Sequence, residues 1–255
     1  MGEYKISFVL QARMGSTRLP KKMAMIFFDN KTILELILSK LNKTFPTIPK
    51  YLATSINSDD DILANLASKN NCMVYRGNEN DVLSRFTGVA KENDITNIIR
   101  ICCDNPFLDM LEMKRLINYA EQFNDVDYIS FKVNNLPSIK THFGFWAEFI
   151  TVSALNKITS YTNEALFHEH VTNYIYENEN LFFVKFLDVS KSLEGKKDIR
   201  MTIDTIADFD LLSEIYLKIF NDMGDEFTII DIISFLDKNE EYKFKMKEQI
   251  ELNSK

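Results

Sequence analysis

Long apolar runs are missing from this 255-residue chain. No stretch reaches the roughly 18 consecutive apolar residues of a membrane-spanning helix. Glycine is scarce, with 7 residues, and neither G-x-x-x-x-G-K-[ST] nor G-x-G-x-x-G occurs, which excludes a P-loop and a dinucleotide fingerprint. There are only 3 histidines, His142, His168 and His170. His168 and His170 are two residues apart, a spacing that does not share a helix face, and His-Glu-x-x-His is absent, so a zinc centre has no basis here. The 3 cysteines give no paired framework; Cys102 and Cys103 are adjacent and read as filling of a buried strand in a reducing compartment. A formal charge of −7 argues against nonspecific nucleic-acid binding. The N-terminus, MGEYKISF, shows no signal-peptide pattern. These absences lead to the expectation of a cytoplasmic protein with neither nucleic acid nor membrane as partner.

What is present is enough apolar material for a full core, 45% of residues, and one local reversal of charge sign. Ile6–Leu10 reads as a first strand, and it runs into QARMGSTRLPKK, Gln11–Lys22. Arg13, Arg18, Lys21 and Lys22 lie within ten positions around Gly15, Ser16 and Thr17. Small residues let backbone N–H groups approach an anion, arginine adds a planar fork of donors, and lysine adds a point charge. A basic turn at the carboxyl end of a first strand is where open α/β sheets bind ligands, so the stretch reads as a polyphosphate site; a merely solvated turn is the alternative.

Beyond this loop the chain alternates strand and helix. Strands are expected at Tyr51–Thr54, Cys72–Tyr75, Asn97–Cys102 and Val126–Phe131. Helices are expected at Ile33–Leu41 with Thr32 as cap, from Ser58 or Asp59 to Lys69, at Val82–Glu92 with Asp81 as cap, and from Asp109 to Phe123. Spacings of about 20 to 25 residues between strands fit right-handed parallel βα units. The run IIRICC fits a central strand buried on both faces, in which Arg100 needs a partner or a cleft. Asp104 follows at that strand's carboxyl edge, as a Mg²⁺ ligand or a turn cap. Around Pro137 the rhythm changes, and 132–195 is expected as an inserted lobe. It is read with a strand Phe143–Trp146, a helix Glu148–Ile158, a helix Ala165–Tyr176 and a strand Phe182–Val189. A strand Met201–Ile203 then precedes Asp204, followed by helices Ala207–Phe220 and Thr228–Phe235 and a charged helical tail.

QARMGSTRLP resembles the signature loop of the cytidylyltransferases that make CMP-activated sugars. The nearest branch resembles the spore-coat-polysaccharide type, related to acylneuraminate and 3-deoxy-manno-octulosonate cytidylyltransferases. Further matches are TSINSDDD, RGNENDVLSRF, Asp104-Asn-Pro-Phe, Glu169-His170-Val-Thr172 and RMTIDTIADF. One departure is clear: Lys21 stands where the family pattern has glycine before the lysine matched by Lys22.

The resemblance implies a three-layer, Rossmann-like nucleotidyltransferase fold over 1–255, with a mostly parallel sheet and a lobe for acceptor binding and dimer contact. It implies attack by an acceptor oxygen on the α-phosphorus of CTP, with pyrophosphate released. Arg13 and Lys22 would neutralise charge, and Asp104 and Asp204 would hold Mg²⁺. Gln11, Ala12, Arg13, Gly15, Ser16, Arg18, Lys22, Thr54, Ser55, Asp60 and Arg76 would surround the nucleotide, with Ser16 and Gly15 offering backbone N–H groups. Glu169, His170 and Arg200 would face the sugar or sugar acid acceptor, Glu169 and His170 having helix capping or dimer packing as the competing reading. Arg85 reads equally as a cleft residue or a structural ion-pair partner. Two other functions are compatible: a transferase for another nucleotide or a phosphorylated acceptor, and a non-catalytic nucleotide- or sugar-binding module.

Overall fold

The computed structural model describes residues 5–123 and 125–253; the reading of the extreme N-terminus falls partly outside them. In chain order, β1 (Ile6–Gln11) leads through the basic loop to a small hairpin, β2 (Ile26–Phe28) and β3 (Lys31–Thr32). There follow α1 (Ile33–Thr44), β4 (Lys50–Ser55), α2 (Asp61–Lys69), β5 (Met73–Gly77), α3 (Val82–Glu92), β6 (Asn97–Cys102) and α4 (Met110–Gln122). Then come β7 (Tyr128–Val133), β8 (Leu136–Pro137), β9 (Glu148–Thr151), α5 (Val152–Tyr161), α6 (Ala165–Glu169), α7 (Asn173–Glu177) and β10 (Val184–Asp188). Three helices close the chain: α8 (Ile206–Met223), α9 (Ile229–Lys238) and α10 (Glu240–Leu252).

Local chemistry explains the helix starts. The Thr32 hydroxyl accepts from the Glu35 N–H while the Glu35 carboxylate accepts from Thr32 N–H, a capping box repeated at Thr205/Asp208 and Thr228/Asp231. Asp81 caps α3 through Ser84 N–H, and Asp109 caps α4 through Leu111 and Glu112 N–H.

The central sheet runs β10-β7-β9-β6-β1-β4-β5, with β8 added on β7. It is parallel except at β9, which runs against both β6 and β7, and at β8. Phe8 and Leu10 face a core shared with α1, α2, α4 and the three C-terminal helices, whereas Val9 faces a second core with α3, α5 and Val171 and Ile175. This gives helix, sheet and helix layers. β1 lies between β4 and β6, so its carboxyl end opens in the middle of the sheet.

Four expected elements differ. Phe143–Trp146 is not a strand: Gly144 has φ 62°, and the aromatic run is buried as irregular chain. The strand begins at Glu148, opposite Arg100, and the helix starts only after Thr151, whose hydroxyl caps it. The helix expected over Ala165–Tyr176 is split, because the chain dives at Val171 and Thr172, which are 0% and 1% exposed, before α7 begins. Met201–Ile203 is an extended connection; Met201 N–H bonds the His142 carbonyl at 2.7 Å and Ile203 N–H bonds the Asp104 carbonyl at 3.0 Å. The stretch 132–195 supplies three strands, β8, β9 and β10, to the central sheet.

Candidate active site

The loop after β1 is pinned by its apolar residues. Ala12, Met14 and Leu19 are buried, while Gly15, Thr17 and Arg18 are exposed. Met14 N–H donates to Asp60 Oδ1 at 2.7 Å. Asp60, 1% exposed, also accepts at Oδ2 from the Thr54 hydroxyl (2.9 Å) and from Ser55 N–H (3.0 Å) and hydroxyl (2.5 Å). A buried carboxylate persists only when donors surround it, and here those donors tie the end of β4 to the basic loop. Thr54 and Ser55 are 0% exposed. Thr54, Ser55 and Asp60, expected beside the nucleotide, are thus buried and bonded to one another and to the loop that they shape. Arg76 is likewise engaged, with Nε on the Ser55 carbonyl (2.9 Å), a second nitrogen on the Asn57 carbonyl (2.6 Å) and an ion pair to Asp61. It holds the 55–61 turn. The Ser16 N–H donates to the Met14 carbonyl at 2.8 Å, and the Ser16 hydroxyl accepts from Leu19 N–H at 3.3 Å.

Lys21 takes φ 62°, ψ 13°, the left-handed region that glycine enters without strain. A lysine thus takes a backbone conformation that glycine adopts more readily. Lys21 N–H bonds the Met14 carbonyl at 3.3 Å, and the Lys21 carbonyl accepts from Ala24 N–H at 2.9 Å; these bonds hold the turn that aims Lys22.

The loop's cations meet acids drawn from distant parts of the chain. Lys22 Nζ donates to the Ile203 carbonyl at 2.6 Å and stands 3.6 Å from Asp104 Oδ2. Arg18 pairs with Asp204 Oδ1. Arg13 bonds the Glu79 carbonyl at 2.9 Å and Glu169 Oε1 at 3.1 Å. Asp104 and Asp204 therefore converge on the basic loop, Asp104 just beyond β6 and Asp204 just before α8. Glu79, which the sequence did not single out, lies over the turn: a Cβ on Gly15 would stand 2.2 Å from Glu79 Oε1.

Behind Asp204 lies a buried ion cluster. Arg200, 1% exposed, reaches Asp204 Oδ2 (2.9 Å), both oxygens of Asp208 (2.7 and 3.0 Å) and His142 Nδ1 (2.8 Å). Asp208 Oδ2 also accepts from Asp204 and Thr205 N–H. Burial pushes the Asp208 carboxyl up, but the Arg200 hydrogen bonds and charge and these two amides outweigh it and hold it below the usual carboxylate range. Burial pulls the Arg200 guanidinium down, and Asp208 and Asp204 more than restore it. Arg200, expected to face the acceptor, is enclosed here and bonded to Asp204.

Glu169 and His170 are exposed where α6 ends. Arg85 is 1% exposed and donates to the Asn78 and Glu79 carbonyls at 2.9 Å, while its Nε and remaining terminal nitrogen have no hydrogen-bond partner among the described residues. Arg100 finds its partner inside the protein. It pairs with buried Glu148 and bonds the Thr172 hydroxyl at 3.3 Å and Gln11 Oε1 at 3.0 Å, while the Tyr128 hydroxyl donates to Glu148. Glu148 carries no motif and could not be found from the sequence except as the acid that a strand arginine requires. A cavity of about 760 Å³ lined by Lys5, Ser84, Lys91, Thr96 and Asn156 lies at the amino ends of β1 and β6, away from this chemistry.

The donor set suits a hard dication. Among the described residues no group of three or more His, Cys, Asp or Glu is placed to hold a metal. Mg²⁺ is ordinarily taken by one or two carboxylates plus substrate phosphates and water, and two carboxylates beside a cationic loop fit that pattern.

The cytidylyltransferase family profile matches residues 7–232. The chain belongs to the cytidylyltransferase family. It is 37% identical over 239 residues to an uncharacterised protein of Methanocaldococcus jannaschii, covering 94% of this chain and 93% of that one. It is 32% identical over 219 residues to the spore coat polysaccharide biosynthesis protein SpsF of Bacillus subtilis, covering 84% and 87%. Among solved structures, a cytidylyltransferase from Leptospira borgpetersenii superposes with TM-score 0.82 at 28% identity, covering 94% of this chain and 97% of that one. The CMP:2-keto-3-deoxy-manno-octonic acid synthetase complexed with CTP shares the fold, with TM-score 0.64 at 10% identity, covering 84% and 99%. The protein is thus a nucleotidyltransferase of mixed α/β fold with a mostly parallel sheet. No helix among the described residues is long and apolar enough to cross a membrane.

Proposed function

We propose that this cytidylyltransferase couples CMP to a sugar or sugar acid, with release of pyrophosphate, in the cytoplasmic synthesis of a cell-surface polysaccharide or glycan. The observation that carries the reading is the meeting of Lys22 with Asp104 and of Arg18 with Asp204 at the carboxyl end of β1. In this reading an acceptor oxygen attacks the α-phosphorus in line with the departing pyrophosphate. Such chemistry needs alignment and neutralisation of charge more than a strong protein base.

Arg13, Arg18 and Lys22 are the groups that neutralise the triphosphate, and Gln11, Ala12, Gly15 and Ser16 form the wall along it. Asp104 and Asp204 would hold Mg²⁺, which would supply Lewis-acid chemistry there. Arg200 fixes Asp204 through Oδ2; Oδ1 becomes available when Arg18 turns from it to phosphate. Glu169 and His170 face the acceptor, and the 132–195 stretch supplies the contact of a homodimer. The similarity to SpsF supports the polysaccharide setting, and the shared fold of the CTP-bound synthetase supports the choice of nucleotide.

Pyrophosphate release measured with CTP, UTP, ATP and GTP against a panel of 2-keto sugar acids tests the reading. CTP should be preferred, and Asp104→Asn should lower turnover about 100-fold, the scale of losing one electrostatic stabiliser, with the fold retained. Equal rates with all four nucleotides would remove the cytidine assignment, and nucleotide binding without turnover on any acceptor would favour a binding module.

A further inference from the structure

Gln11 stands at the last position of β1, where the loop begins. Its neighbours in the sheet are Cys102 of β6 and Ala53 of β4, so its side chain could serve either flank of the site. The contacts decide between them. Gln11 Oε1 lies 3.0 Å from a terminal nitrogen of Arg100, on the β6 side and away from the Asp60 knot at the end of β4. The same guanidinium bonds Glu148 and Thr172 through its other terminal nitrogen. Thr172 in turn closes on Glu148 at 3.2 Å. Tyr128 holds the second oxygen of Glu148. Arg100, Glu148, Thr172 and Tyr128 are 5%, 3%, 1% and 0% exposed, so the guanidinium has no freedom to turn.

A guanidinium has only donors. The group facing it must be the carboxamide oxygen, because the flipped amide would set NH2 against N–H. The orientation of the amide is therefore dictated chemically, oxygen inward and nitrogen outward. Gln11 is half-buried, and among the described residues no protein acceptor meets its Nε2. The two N–H donors are thus fixed and unspent, on the side of the sheet where Val171 and Ile175 pack and Thr172 meets Arg100. That face adjoins the exposed end of α6, where Glu169 takes one nitrogen of Arg13.

We infer that Gln11 is an acceptor-recognition residue that donates its carboxamide N–H groups to an oxygen of the sugar substrate, and that Arg100 is the positioning residue that locks the amide in that sense. The inference rests on the nucleotidyl-transfer reading and revises one part of it, moving the Gln11 side chain from the nucleotide to the acceptor. The ligand group it takes is an oxygen with free lone pairs, a hydroxyl or a carboxylate. A donor held rigidly in place contributes more discrimination than a mobile one, since no ordering cost remains at binding.

The test compares Gln11→Glu, Gln11→Ala, Arg100→Lys and the Gln11→Ala/Arg100→Lys double variant. Gln11→Glu keeps an oxygen on Arg100 and removes the donors, so its melting temperature should match that of the parent protein. With CTP and 2-keto-3-deoxy-manno-octonic acid as the probe acceptor, both Gln11 variants should raise the acceptor KM about tenfold, the effect of one hydrogen bond. The KM for CTP and calorimetric CTP affinity should stay within about twofold. Arg100→Lys keeps a charge for Glu148 but loses the fork; it should raise the acceptor KM similarly and add nothing in the Gln11→Ala background. A fall in CTP affinity, or an additive effect of Arg100→Lys, would overturn the inference. A second readout needs no turnover. In the ¹⁵N spectrum of the free protein the Gln11 NH2 pair, identified by its loss in Gln11→Glu, should exchange rapidly with water; a protected pair would mean that the amide faces inward, and would overturn it. Absence of turnover by the parent enzyme on this acceptor would count against the activity with that sugar, while the exchange measurement still decides the orientation.

Discussion

Arg18 and Asp204 form an ion pair across 186 positions of sequence, and it joins the first loop of the chain to the start of α8. Asp204 is nearly buried and is held from behind by Arg200, whereas Arg18 is 44% exposed in its side chain. The two partners are therefore unequal: the acid is fixed and the arginine is free to leave. An exposed partner of this kind adds at most about 1 kcal/mol to stability. Arg18→Ala should leave the denaturation midpoint almost unchanged while raising the KM for CTP about tenfold or more, through loss of a charged contact to phosphate. Thermal melts and steady-state pyrophosphate release measure the two effects separately.

The cluster behind Asp204 answers differently. Arg200 and Asp208 are 1% and 2% exposed, and removing one partner of a buried pair leaves the other charge without compensation, at about 3–5 kcal/mol. Asp208→Asn should destabilise on that scale at neutral pH. The Asp208 carboxyl is depressed in the folded state, so its contribution is present above the unfolded-state pKa, about 3.9, and is lost as pH falls through the folded value. The stability gap between the parent and Asp208→Asn should accordingly be constant from neutral pH to about pH 5 and narrow in more acid solution. Denaturant melts at a series of pH values check the sign.

How much of this could be read from residues alone follows from which contacts are local. Helix starts at Thr32, Asp81 and Asp109 were legible because a cap acts over three or four positions. The basic loop and the two aspartates were legible as chemistry that belongs together. The strand at Glu148 was not, since it is antiparallel only through pairing with β6 and β7, far away in sequence. Nor were the roles of Asp60 and Arg200. An acidic residue after a strand and an arginine before an aspartate carry the same signature whether they point into a cleft or close a buried knot; burial separates the two, and burial is a property of the folded chain. The break at Val171 and Thr172 was hidden for the same reason, because Arg100 and Glu148, which draw Thr172 inward, lie in other elements.

His168 links α6 to the start of α3. Its Nδ1 is 3.0 Å from Asp81 Oδ2, and its Nε2 lies 3.2 Å from the Thr162 carbonyl. Burial lowers its affinity for the proton, but the hydrogen bond to Asp81, with the Thr162 carbonyl and the Asp81 charge, raises the net pKa above the ordinary histidine value. A raised folded-state pKa contributes stability that is fully present below the unfolded pKa, about 6.5, and is lost as pH rises through the folded value. His168→Gln should be less stable than the parent in mildly acid solution and converge on it at alkaline pH. Urea titrations at both ends of this range measure the difference; a gap that widens with pH would contradict the ion pair.

Lys21 stores strain in the basic loop. A side chain at φ 62° brings Cβ close to the following carbonyl, at about 1–2 kcal/mol for a residue other than glycine. Glycine relieves that contact but gives the unfolded chain more freedom, which offsets part of the gain. Lys21→Gly should therefore stabilise the protein by about 0.5–1 kcal/mol, whereas Lys21→Val, β-branched and without glycine's tolerance, should destabilise it. The lysine side chain is exposed, so neither change disturbs packing, and the two variants bracket the backbone effect. If charge at position 21 also serves the triphosphate, Lys21→Gly and Lys21→Val should weaken CTP binding by the same factor despite opposite effects on stability. Calorimetric titration of both variants beside their melting curves separates the two roles of this residue.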